Sequence, residues 1–112
     1  MIDWFALSNE LPQHPKTRRL CLALGDKKAG WYIVALFAYC SKHCTKGVFS
    51  GRHAAGEIEA AAEWGGDPGV FVKAAVDAGF LDAKENGEIE IHDWWEWNGE
   101  VMTEAETKAR AK

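Results

Sequence analysis

No run of apolar residues approaches the ~20 that a bilayer-spanning helix needs, so the sequence reads as having no membrane partner. Cysteine is scarce and odd in number: Cys21, Cys40 and Cys44 read as reduced thiols rather than a disulfide scaffold. The first ten residues carry Asp3 and Glu10 but no basic group, unlike a secretory leader, and a cytoplasmic location is the expectation. Phosphate-cradling glycine loops, a dinucleotide-binding glycine pattern and a nucleophilic serine elbow are all missing. The chain is therefore expected to be no enzyme, with no cofactor and no small-molecule substrate. The most informative shortage is positive charge. Between His53 and Thr107 only Lys73 and Lys84 stand against fourteen acids.

What is present fits one folded unit. The 112 residues are 47% hydrophobic and 27% charged, an ordinary globular composition, and the length suits a single domain. We place it at 1–99, with 100–112 as a polar tail or linker. The net charge of −4 conceals a bipolar chain. Residues 1–52 carry eight basic and three acidic groups, whereas 53–112 carry five and fourteen. Such asymmetry bears on partners rather than on fold.

Residues 2–7, rich in aromatics, read as a strand or extended arm. Pro15 suits the first turn of a helix that should run to about Leu24 and stop at Gly25, burying Thr17, Leu20, Cys21 and Leu24. A second helix is predicted from about Lys27 to His43 or Cys44. Its stripe of Ala29, Ile33, Leu36, Phe37, Cys40 and Cys44 is apolar, and so is the opposite face of Trp31, Val34, Ala35 and Ala38. A helix apolar on both sides is packed on both sides, within the domain or across an interface. Val48–Ser50 supports only a scrap of strand. An alanine-rich helix follows from about Ala54 to Trp64, burying Ile58, Ala61 and Ala62, and Gly65-Gly66 ends it. Asp67-Pro68 predicts an N-cap and first turn for a helix over 68–78. The period then switches to two in Phe80–Ala83 and Glu88–His92, around the hairpin signal Asn86-Gly87.

From Lys27 the order is helix, strand scrap, helix, tight glycine turn, helix, strand, turn, strand. That is the order of a winged helix-turn-helix, so the expected class is α+β, mostly α, with an extra N-terminal arm and helix. The recognition helix would be 68–78 and the wing 80–92. Three blocks of sequence carry a resemblance beyond this order. They are Leu11-Pro12-x-His14-Pro15-Lys16-Thr17-x-x-Leu20 with Leu24-Gly25; Trp64-Gly65-Gly66-Asp67-Pro68 with Phe71-Val72 and Ala78-Gly79-Phe80-Leu81-Asp82; and Ile91-His92-Asp93-Trp94 with Gly99. Together they resemble the N-terminal winged-helix domain of phage and prophage replication-initiation proteins, the replisome organisers and DnaD-like primosome components. The resemblance covers about residues 2–99 and implies DNA binding in replication initiation. It also implies a basic linker and a DNA- or loader-engaging C-terminal region, which the 112 residues do not contain.

Charge argues against the usual docking face. Phosphate contacts need Lys and Arg, and of Gly69, Val70, Lys73 and Asp77 on the exposed recognition face only Lys73 qualifies. The wing tip adds Lys84 and Asn86. Lys16, Arg18, Arg19, Lys27 and Lys28 form a denser basic cluster around the first helix, suited to a phosphate backbone or to the acidic half of a second copy. The candidate DNA contacts are thus Lys16, Arg18, Arg19, Lys27, Lys28, Lys73, Lys84 and Asn86. The rival reading is a protein-interaction or oligomerisation module that does not itself bind DNA, contacting itself or a replication protein. Its candidate interface residues are Trp31, Val34, Ala35, Trp94, Trp95 and Trp97. Trp4 and Phe5 are expected to meet the last three tryptophans in an aromatic cluster. Cys40, His43, Cys44 and His53 offer zinc-ligand types, but the cysteines lie on the apolar stripe and lack a C-x2-C pair, so core packing is expected and no metal. His92-Asp93 could orient one another, without an evident nucleophile.

Overall fold

The computed structural model describes residues 11–94, beginning with a single 3-10 turn at Leu11–Gln13. Helix α1 (Pro15–Leu24) starts as expected: Pro15 occupies its first turn, and the Nδ1 of His14 accepts the Lys16 N–H at 3.1 Å. Thr17 and Leu20 are buried beneath it, and Gly25 closes it by donating to the Cys21 and Leu22 carbonyls. Helix α2 (Ala29–His43) begins two residues later than the sequence predicts. Asp26 is the reason. Its carboxylate accepts the Lys28 N–H (2.8 Å) and the Tyr32 hydroxyl (2.7 Å), so Lys27 and Lys28 form a turn that launches the helix. The predicted stripe then faces inward, with Ala29, Ile33, Leu36, Phe37 and Cys40 buried.

Strand β1 (Val48–Phe49) leads into α3 (Ala54–Ala61), α4 (Val70–Ala78), β2 (Leu81–Ala83) and β3 (Ile89–Ile91). The three strands form one antiparallel sheet in the order β1-β3-β2. Val48 pairs with Glu90 on one side of β3, and Leu81 pairs with Ile91 on the other. The described residues thus make an α+β domain, mostly helical, with four α-helices and a small sheet. The side chains of Leu20, Ile33, Leu36, Ile58, Phe71 and Leu81 fill its centre.

The α3–α4 connection departs from expectation. Helix α3 stops at Ala61, and Glu63 adopts a left-handed φ of 63°. Trp64 thereby folds back instead of extending the helix. Its indole N–H donates to the Asp67 carbonyl (2.9 Å), and its ring packs edge-on to Tyr32 and beside Phe71. Ala61, expected in the core, is only half-buried. Helix α4 begins at Val70, not Pro68, and Asp67 does not cap it. The N-cap position is Gly69 at φ 85°, a left-handed conformation that suits glycine. Glu59, reaching from α3, does the capping: one carboxylate oxygen accepts the Gly69 N–H (2.8 Å), the other the Val72 N–H (3.2 Å). A buried carboxylate bonded twice satisfies more of the helix end than Asp67 could locally.

Trp94 was expected at an interface, but it is 2% exposed and belongs to the core. Its indole N–H donates to the Thr45 carbonyl (2.8 Å) and its ring meets Phe37 edge-on. Gly47 makes this possible. Its φ is 70°, and a Cβ there would sit 2.6 Å from Trp94 Cγ. The expected arm at 2–7, the aromatic residues Trp4, Phe5, Trp95 and Trp97, and the tail at 100–112 lie outside the described residues.

Two stability outcomes follow from this packing. Glu59→Ala leaves two amide donors in a buried setting and should cost about 2–3 kcal/mol in urea unfolding, with Glu59→Gln costing roughly half. Gly47→Ala combines left-handed strain with overpacking against Trp94, and should cost about 2–4 kcal/mol with a change in tryptophan emission.

Candidate interaction surface

Both ends of α4 are occupied by the chain's own side chains. Glu59 takes the N-terminal amides. At the other end Arg19 Nη2 donates to the Ala78 carbonyl (3.4 Å), and the Lys16 stem lies over Gly79, where an added Cβ would come within 3.2 Å of Lys16 Cε. The acid at the N-terminus and the bases at the C-terminus both complement the helix dipole. The outward face of α4 presents Val70, Lys73 and Asp77, all exposed. In the β2–β3 turn the Lys84 ammonium pairs with Glu90 (3.0 Å), which together with nearby acids holds its pKa above the usual lysine value. Asn86 is exposed, and its side-chain oxygen accepts the Glu88 N–H.

Four of the eight candidate DNA contacts are engaged within the domain. Lys16 and Arg19 serve the end of α4, while Lys84 and Asn86 serve the β-turn. Lys73 stands alone on α4. Arg18, Lys27 and Lys28 are exposed, and none forms an ion pair with a described residue. Lys27 and Lys28 owe their position to Asp26. The Lys28 N–H, and then the Tyr32 hydroxyl, hold the Asp26 carboxyl below its ordinary range, and the same carboxylate pushes the Tyr32 hydroxyl up.

The second face of α2 is not covered by the described residues, so packing within the domain does not account for its apolar character. Trp31 is 58% exposed and Tyr39 38%, with Val34, Ala35 and Ala38 half-buried between them. A groove lies on each flank of this strip. One, of about 520 Å³, runs between α1 and the start of α2. Its walls include Leu11, Cys21, Trp31 and Val34, with Lys27 and Lys28 contributing its charge. The buried Thr17 hydroxyl in its wall has no hydrogen-bond partner among the described residues. The other groove, of about 430 Å³, lies between α2 and α3. Ala35, Tyr39, Ala60 and Ala61 line it with Glu57 and Glu63. The Trp31 indole N–H reaches Glu63 Oε1 at 3.4 Å, so Trp31 stands between the two grooves.

Other polar clusters are structural. Cys40 is buried, and burial pushes its thiol well above the usual range. Cys44 donates its thiol to the Val48 carbonyl at 3.0 Å. Among the described residues no three His, Cys, Asp or Glu side chains gather in a metal-holding arrangement. No described helix is long and apolar enough to cross a membrane. His92 stands between Asp82 (2.8 Å) and Asp93 (3.2 Å), tying the strand exit to β2.

The Asp26 contacts have a testable pH signature. A lowered folded-state pKa contributes stability that is present above the unfolded value and is lost as pH falls through the folded one. Asp26→Asn keeps acceptor capacity and removes the charge. Its stability deficit in urea unfolding should exist at neutral pH and close below about pH 4. A deficit unchanged with pH would contradict the charge-based account. Comparison with known proteins finds no match to the chain among family models, curated proteins or solved structures.

Proposed function

We propose that this is a non-enzymatic winged helix-turn-helix domain of the phage replication-initiation kind, acting in the cytoplasm through protein contacts rather than by reading DNA. The fold assignment draws on the succession α2-β1-α3-α4-β2-β3 and the sheet order β1-β3-β2, in which β2 and β3 form the wing hairpin beside β1. The observation that carries the functional reading is the state of α4, the helix that such folds lay into the major groove. Its N-terminal amides are bound by Glu59 and its C-terminal carbonyl end by Arg19, and its outward face holds one cation beside Val70 and Asp77. A phosphate arriving at that N-terminus meets a carboxylate already seated there. The apolar strip on α2, by contrast, is open and bordered by charge, the composition of an interaction surface.

A second reading, backbone-level DNA binding, is favoured by one observation: Arg18, Lys27 and Lys28 are exposed and unpaired among the described residues. Anisotropy titration of labelled duplex and single-stranded DNA at about 50 mM salt separates the two. The protein-contact reading expects weak binding, indifferent to sequence and to Lys73→Ala. Tight, sequence-dependent binding lost in Lys73→Ala would overturn it. Binding that falls at least about tenfold in Arg18→Glu with Lys28→Glu, and steeply with salt, would establish the second reading instead.

A further inference from the structure

We propose that the open face of α2 is a two-fold interface whose occupant is a second copy of this chain, the Lys27–Lys28 groove of each copy seated against the Glu57–Glu63 groove of the other. The inference rests on the protein-contact reading and names the partner. Its basis is that one continuous strip carries two open apolar grooves with rims of opposite sign. Trp31 and Val34 belong to the basic groove, Ala35 and Tyr39 to the acidic one, and Trp31 links them through Glu63. A two-fold axis passing between the grooves exchanges them. Each basic rim then meets an acidic rim, twice per dimer, and the two α2 helices cross over their exposed apolar residues. An axis through either groove would instead set lysine on lysine or glutamate on glutamate, which is repulsive.

A foreign acidic partner would use the basic groove and leave the acidic one idle; a basic partner would do the reverse. Only a partner carrying both signs in the same spacing satisfies the whole strip, and a second copy carries them by construction. Trp31 and Tyr39 supply the aromatic anchors that the centre of such an interface favours. The net charge of −4 opposes association at long range, so the pairing depends on local complementarity and weakens with salt.

Sedimentation equilibrium with a charge swap tests this. The wild-type chain should dimerise with a Kd in the micromolar range at about 50 mM salt, and more weakly at about 500 mM. Lys27→Glu with Lys28→Glu should weaken self-association at least about tenfold, and so should Glu57→Lys with Glu63→Lys. Mixed one to one, these two variants should form a heterodimer, because both rim pairs are then complementary again. Recovery on mixing also demonstrates that each variant is folded. Trp31→Lys should abolish the homodimer. A wild-type monomer at about 500 µM, variants that dimerise like wild type, or a mixture that stays monomeric each overturns the proposal. A wild-type monomer leaves the face to another occupant, such as the aromatic segment 2–7 or a foreign protein. None of these failures touches the protein-contact reading, which stands or falls on the DNA titration.

Discussion

A helix of nine residues cannot hold itself together in water, and α4 lies at the centre of this domain. Its exposed amides at one end and carbonyls at the other have to be satisfied by something. Glu59 answers the first need from α3 and Arg19 the second from α1. These two side chains fix α4 against the elements on either side of it, and the hairpin of β2 and β3 is then laid down from its C-terminus. Gly79 turns the chain and Phe80 donates its N–H back to the Ala75 carbonyl. The same contacts settle what α4 can no longer do. A helix N-terminus is an anion site only while it is vacant, and this one is filled by its own carboxylate.

Much of the architecture was legible in sequence because local signals agreed with the long-range packing. Pro15 and Gly25 bracket α1, the 3.6-residue stripe from Ala29 to Cys40 faces the core, and Asn86-Gly87 marks the hairpin turn. Where the reading missed, a distant side chain prevailed over a local one. Asp67-Pro68 is a strong local start signal, yet Glu59, ten residues before Gly69, takes the amides. The usable clue was an acid placed beside Ile58 and Ala62 on the buried side of a helix, where a carboxylate needs donors. Trp64 misled in the same way. It reads as the apolar end of α3, but it turns back to pack on Tyr32 and Phe71. Burial of Trp94 depended on Gly47, a contact across 47 positions that no periodicity reports.

The candidate surface was legible in composition but not in placement. Trp31, Val34 and Ala35 do lie on the open strip of α2. The basic cluster of the first helix proved to be two groups with different work. Lys16 and Arg19 turn toward α4, whereas Lys27 and Lys28 border a groove. Helical spacing separates Lys16 and Arg19 from Arg18, but only the position of α4 explains why. The acidic half is likewise divided between Glu59, which is structural, and Glu57 and Glu63, which border the second groove.

The clasp of Trp94 on Gly47 and Thr45 also bears on how the molecule opens. It joins residues 49 apart, and β1 reaches β3 across a similar interval, so both are costly in chain entropy compared with the turns inside the helical layer. Strands of two and three residues add few bonds to offset that cost. Hydrogen exchange should therefore be fastest along β1 and β3 and slowest along α2, with the sheet forming a separate, less protected cooperative unit. Partial opening would then release the β2–β3 hairpin while leaving the α2 strip in place.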